Sequence, residues 1–269
     1  MTQPATPPSP LSQQTFAAIV QAFAGGLVKV WGSRAGQLTH QVLLLKFRTS
    51  PLPSSPVPPG WEEIFSELQA ISYHELDSLR YVGDFGHLVF ATTLFDTFLT
   101  DTTRFVFLLR PESIGKTQGI TVAEILHAAS KTELLRAAVE KRARELSYKS
   151  FAERIEFLGK NYGFAFDIAS ETAAELEHFS SLRNVMIHDQ AFYDLSVNDS
   201  GDVTYAARSC PCHPRPITGA EIKGAIRAYE RIVRSITREV FTHMLKVPVP
   251  EDLLRAHRVI EDAIGDKSQ

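Results

Sequence analysis

The sequence predicts an all-α fold, a helical bundle with one small β-hairpin inserted before its last long helix. Three observations carry this expectation. From Trp61 onward, apolar residues recur at three- and four-residue steps over most of the chain. Ser150–Glu153 and Thr218–Glu221 have the form of capping boxes, which open helices. A clear strand–turn–strand pattern occurs between Leu195 and Tyr205, around the turn residues Asn198 to Gly201.

Taken in order, residues 1–10 are rich in Pro, Thr and Ser and predict a disordered start. Residues 12–31 predict a helix weakened at Gly25-Gly26, and Val42 to Phe47 is an apolar run compatible with strand or helix. Five prolines between Ser50 and Gly60 predict a linker. Trp61, Ile64, Phe65, Leu68 and Ile71 then fall on one helical face. A longer helix is expected from about Gly83 to Arg110, with Phe85, Leu88, Phe95, Leu99 and Val106 inward and Pro111 ending it. Thr121 to Leu146 is rich in good helix formers. Ser150 opens the next helix, Gly163 breaks it, and another spans Ser170 to Ile187. Pro211, Pro214 and Pro216 make an irregular loop. Thr218 caps the last long helix, expected to reach about Leu245 before a polar tail with one short helix. The organisation read from this is an N-terminal extension over 1–60, a helical domain over 61–245 and a tail over 246–269.

The 269 residues are 44% apolar and 22% charged, an ordinary globular balance with length enough for a real core. A formal charge of −3 argues against a uniformly basic coat but leaves room for a local basic patch. Cys210 and Cys212 are separated by one residue, a spacing ill-suited to a disulfide, so a reducing cytoplasm is expected. The N-terminus lacks a signal-peptide pattern. Phe16 to Trp31 is interrupted by Gln21, Gly25-Gly26 and Lys29, too short and broken a stretch to span a bilayer, so no membrane association is expected.

The most specific chemical signal is Ser181-Leu-Arg183-Asn184-Val-Met-Ile-His188-Asp189. Arg183 offers a forked donor for phosphate and His188 a group that exchanges protons near neutral pH. Spacing alone is weak, because Arg34/His40, Arg80/His87, Arg208/His213 and Arg238/His243 also pair an arginine with a histidine five to seven residues on. Only Arg183 is followed directly by a polar amide, at the end of a helix and before a loop. In a continuous helix positions 183 and 188 are about 140° apart, whereas Asn184 and His188 share a face. Convergence of Arg183 and His188 on one phosphate therefore needs either fraying near Ile187 or a second copy of the chain. Leu182, Val185 and Met186 are expected to face the core.

Arg183-Asn184-x-x-x-His188 resembles the signature of HEPN domains: arginine, a polar residue, then histidine. The resemblance implies a bundle of four to five helices that dimerises across the motif-bearing helices, here roughly over residues 61–245. In catalytic members two motifs make one metal-independent ribonuclease site, so the partners implied are RNA, a second copy of the chain and an antitoxin or other defence-system component. No cofactor or metal is implied. Carried over, His188 would be the general acid/base, Arg183 would stabilise charge on the phosphorane-like transition state, and Asn184 would orient the histidine or a phosphate oxygen. Asp189 departs from the motif and could pair with either cation. Other members are non-catalytic adaptors that bind RNA, nucleotides or proteins. The ordinary structural alternative is that Arg183 and His188 only cap and charge-balance a helix end.

Lys223, Arg227, Arg231, Arg234 and Arg238 recur at four, four, three and four residues, a basic stripe within about 80° of one helix face. It could track an RNA backbone or be a solvated face. Ile222, Ile226, Tyr229, Val233, Ile236 and Val240 lie opposite. Cys210, Cys212 and His213 lack a fourth zinc ligand. Gly115-Lys116-Thr117 lacks the earlier glycine and strand of a phosphate-binding loop. Asp96, Asp101 and Arg104 could support the site, or form an exposed ion pair within their helix.

Overall fold

The computed structural model describes residues 9–49, 61–114, 130–166, 170–188, 193–197, 203–207 and 217–265. The element order is α1 (Pro10–Thr49), α2 (Trp61–Ala70), α3 (Tyr73–Leu109), a 3₁₀ turn (Pro111–Ile114), α4 (Lys131–Ser147), α5 (Phe151–Tyr162), α6 (Ser170–His188), β1 (Tyr193–Val197), β2 (Val203–Ala207), α7 (Gly219–Glu239), a π turn (Val240–Met244) and α8 (Glu251–Ala263). The fold is all-α. Among the described residues one hairpin pairs β1 with β2 antiparallel, Leu195 opposite Tyr205.

The expected helix starts are present in atomic detail. Ser150 Oγ accepts from Glu153 N at 3.2 Å, while Ser150 N donates to Glu153 Oε2 at 2.9 Å. Thr218 and Glu221 repeat this exchange at 3.2 and 2.8 Å. Gly163 ends α5 with φ 69°, a conformation glycine adopts without a Cβ penalty.

The expected division at residue 61 does not divide the core. The helix expected over 12–31 runs on, and α1 continues through both glycines and through Val42 to Phe47. Its Phe16, Val20, Phe23, Ala24, Leu27 and Val30 are buried against α3 and α8. Gly26 faces a close neighbour on α3. A Cβ there would lie 2.8 Å from both methyl carbons of Leu94, whereas one on Gly25 would meet nothing within 4 Å. Gly83 on α3 likewise lies against the Gln37 side-chain amide of α1.

The 246–269 tail is also part of the bundle over its described length, because Leu253, His257, Ile260 and Ile264 of α8 and its flank are buried. Nor is α1 too short to cross a bilayer. From Pro10 to Lys46 it is long and apolar enough by length and composition, although its Phe16–Val30 face is occupied by core contacts.

The centre of the bundle is α7. Ile222, Ile226, Tyr229, Val233, Ile236 and Val240 are fully enclosed, as its amphipathic pattern predicts. Phe95 of α3 stacks on Tyr229 at 4.5 Å between ring centroids and meets Phe151 edge-on at 5.0 Å. Arg154, 2% exposed, ties α5 to α3 through the Asp96 carboxylate and a 2.8 Å bond to Thr100 Oγ1.

Candidate functional site

The motif is carried by the C-terminal end of α6, which runs antiparallel to α7. Arg231 Nη1 donates to Thr172 Oγ1 at 2.7 Å near one end of the pair. At the other end His178 Nε2 lies 3.9 Å from Glu221 Oε1, and the Phe179 ring stands 3.3 Å from where a Gly224 Cβ would be.

Arg183 is half-buried and Asn184 exposed. Arg183 Nη1 donates to Asn184 Oδ1 at 3.1 Å, while its Nε is enclosed without a hydrogen-bond partner. Behind them the Tyr229 hydroxyl pairs with Thr92 Oγ1 at 2.9 Å. Burial raises the Tyr229 phenol pKa, and the hydrogen bond and the Arg183 charge oppose that rise only weakly. Leu182 packs on the core as expected. The side chains of Val185, Met186, Ile187 and His188 lie outside the described residues.

The backbone is helical through His188, so fraying near Ile187 is not the conformation adopted. Positions 183 and 188 are therefore about 140° apart around the helix, and positions 184 and 188 share a face.

The basic stripe does not stay together as a free surface. Arg234 is engaged by Glu230 at 2.8 Å and by Glu261 of α8, and the buried His257 places Nδ1 3.1 Å from Glu230 Oε1 without a hydrogen bond. Arg231 is exposed but bonded to Thr172, Lys223 and Arg227 are half-buried, and Arg238 is exposed. Asp101 and Arg104 form the expected intrahelical pair at 2.9 Å, and Arg104 continues to Glu140 of α4 at 2.8 Å. With Asp96 held by Arg154, all three charges serve contacts of α3 with α4 and α5. Cys210, Cys212, His213 and Gly115 to Thr117 lie outside the described residues. Among the described residues no three His, Cys, Asp or Glu side chains cluster as metal ligands.

A polar cluster that the sequence pattern did not single out lies between α1 and α3. Arg34 Nε binds Asp84 Oδ1 at 3.0 Å, and both residues are buried. Arg80 Nε approaches Asp84 Oδ2 at 3.7 Å, but that oxygen is enclosed and makes no hydrogen bond. His87 Nε2 lies 3.3 Å from Ser33 Oγ. Burial lowers the His87 pKa, with the Arg34 charge adding to it and a Gly83 main-chain bond and Asp84 opposing. Arg34 also lies 5.4 Å over the Trp31 ring and presses on Gly219. Arg34, Arg80 and His87 all occur in the arginine–histidine spacings set aside above. Arg34 meets Asp84, and His87 meets Ser33, across the helix pair, which linear spacing does not reveal.

An apolar groove of about 430 Å³ lies between α5 and α6, lined by Ile155, Phe164, Phe166 and Leu176. Its two charged lining residues, Glu156 and Lys160, pair with each other. No family model, curated protein or solved structure matches this chain.

Proposed function

We propose that the protein is a metal-independent endoribonuclease of the HEPN type, with Arg183, Asn184 and His188 at a site shared by two copies of the chain. The observation that carries the reading is the setting of the motif. Its guanidinium and carboxamide lie side by side, hydrogen-bonded, at the end of a helix that stays regular through His188. Because Arg183 and His188 diverge on one helix, a phosphate reaches both kinds of group only between two such helices.

In that arrangement one imidazole accepts the ribose 2′-hydroxyl proton as the 2′ oxygen bonds to phosphorus. The same imidazole, now charged, returns that proton to the 5′ oxygen as the phosphorus–5′ oxygen bond breaks, leaving a 2′,3′-cyclic phosphate. Arg183 opposes the charge that gathers on the non-bridging oxygens. A role in antiviral defence or as a toxin, with an antitoxin or defence partner, belongs to the same proposal.

The test is cleavage of RNA in excess EDTA. The expected result is 2′,3′-cyclic phosphate ends from the wild-type protein and none from His188→Ala. Equal cleavage by the two proteins rejects the reading. A non-catalytic adaptor is the second reading, favoured by the engagement of Arg183 with its own neighbour Asn184, which reduces the donors left for phosphate. It predicts no cleavage and a salt-sensitive RNA affinity that Arg227→Glu and Arg231→Glu weaken.

A further inference from the structure

The two hydroxyls behind the motif have a fixed direction. Thr92 Oγ1 gives its one proton to the Leu88 carbonyl at 2.8 Å, so the 2.9 Å bond between Thr92 and Tyr229 uses the Tyr229 proton. The Tyr229 oxygen thus donates toward α3 and keeps its own lone pairs open, because no group among the described residues donates to it. It is also held in place. The Tyr229 ring is fully enclosed, stacked on Phe95 at 4.5 Å between centroids and met edge-on by Phe151 at 6.5 Å and Phe179 at 6.4 Å.

Arg183 has the complementary deficit. Phe179 lies one turn earlier on the same face of α6, so the face that meets the Tyr229 ring also carries Arg183. Arg183 Nε is enclosed and makes no hydrogen bond. Burial raises the Tyr229 phenol pKa, and the Arg183 charge is among the influences opposing that rise, so the two groups act on one another. An enclosed charged donor without an acceptor is costly, and an oxygen able to relieve it belongs to the same α6–α7 contact. The bond that the guanidinium does make, Nη1 to Asn184 Oδ1 at 3.1 Å, occupies the edge that a phosphate requires.

We propose that Tyr229 is a positioning residue for Arg183: with RNA bound, its oxygen accepts the Arg183 Nε–H while the guanidinium releases Asn184 and turns its Nη1–Nη2 edge to the phosphate. Donation then runs from Arg183 Nε to Tyr229, from Tyr229 to Thr92 and from Thr92 to the Leu88 carbonyl, which fixes the fork from the interior of the bundle. A guanidinium anchored at Nε on a clamped ring offers its two Nη groups already aligned, so less freedom is lost when phosphate binds. The proposal deepens the ribonuclease reading and rests on it for the identity of the ligand.

The experiment follows the Arg183 Nε–H proton by NMR in the full chain, labelled at arginine. An unstructured oligoribonucleotide is titrated onto the uncleaving His188→Ala protein, and loss of the signal in Arg183→Lys assigns it. The oligonucleotide should slow solvent exchange of that proton by about tenfold or more and bring it into through-space contact with the Tyr229 ring protons. Tyr229→Phe keeps the ring and its stacking, and should restore fast exchange and weaken oligonucleotide binding by about tenfold, as removal of a bond from a charged donor implies. Combined with Arg183→Lys, which has no Nε–H, Tyr229→Phe should weaken binding no further. Circular dichroism establishes that Tyr229→Phe is folded, and the comparison of free with bound protein decides without any change in the core.

A signal that the oligonucleotide leaves unchanged overturns the proposal. So does a loss of affinity from Tyr229→Phe that is the same with and without Arg183, the mark of a hydroxyl that serves only the core. Slowed exchange that depends on Tyr229, in a protein that cleaves no RNA, upholds the positioning role and removes only the nuclease. Cleavage by the wild-type protein with the signal unmoved upholds the nuclease and removes the positioning role.

Discussion

Replacing Phe16 by alanine tests whether α1 belongs to the core or merely precedes it. Phe16 is fully enclosed, stacked on Phe105 at 5.0 Å between centroids and tilted against Phe241 at 5.7 Å. Truncating a buried phenylalanine costs about 3–5 kcal/mol through lost transfer energy and the cavity left behind. Each aromatic contact is worth about 0.5–1.5 kcal/mol beyond its area, which places this site in the upper half of that range. Leu11 of the same helix is 70% exposed and makes a matched control, with an expected change within about 0.5 kcal/mol. The assay is equilibrium unfolding in urea, read by fluorescence and circular dichroism, with the midpoint shift at constant slope giving the free-energy difference. Equal, small effects of Phe16→Ala and Leu11→Ala would refute the reasoning and return α1 to the status of an extension.

Further outcomes follow from single contacts. Gly25→Ala should stabilise by about 0.4–1 kcal/mol because the site is open, while Gly26→Ala should show no such gain because its methyl meets Leu94, both read from urea midpoints. Ser150→Ala and Thr218→Ala should each cost about 1 kcal/mol in the same assay, the loss of an N-cap bond. The lowered pKa of His87 means that the unfolded chain takes up its proton first as pH falls. The stability contributed by neutral His87 is therefore complete above the ordinary histidine pKa and is lost as pH drops through the folded value. His87→Gln should flatten the slope of stability against pH below about 6.5 relative to wild type, and an unchanged slope would contradict the assignment.

What the sequence made legible was local. The capping boxes at Ser150 and Thr218 and the face of α7 depend only on residues three or four apart, and they stand as read. The helix at α1 was legible but its full length was not, because glycine lowers local helix propensity, and the neighbour of Gly26 is a leucine sixty-eight positions away. The tail was discounted for its polarity, yet Leu253, His257 and Ile260 make a narrow buried stripe. At the site, Arg183 and Asn184 could be named from the motif, but the Arg34–Asp84 pair could not, since its members sit on different helices and become neighbours only when α1 and α3 pack. The basic stripe was legible as a period and not as an occupied surface, because Glu261, which takes up Arg234, comes from α8.

The claim at the centre of this account is that one cleavage site draws Arg183 and His188 from different copies of the chain. Arg183→Ala and His188→Ala proteins, each inactive alone, should regain EDTA-resistant RNA cleavage when unfolded together and refolded as a mixture, because mixed dimers hold one intact pair. A mixture that stays inactive, under conditions where co-refolded wild-type protein cleaves, would contradict it.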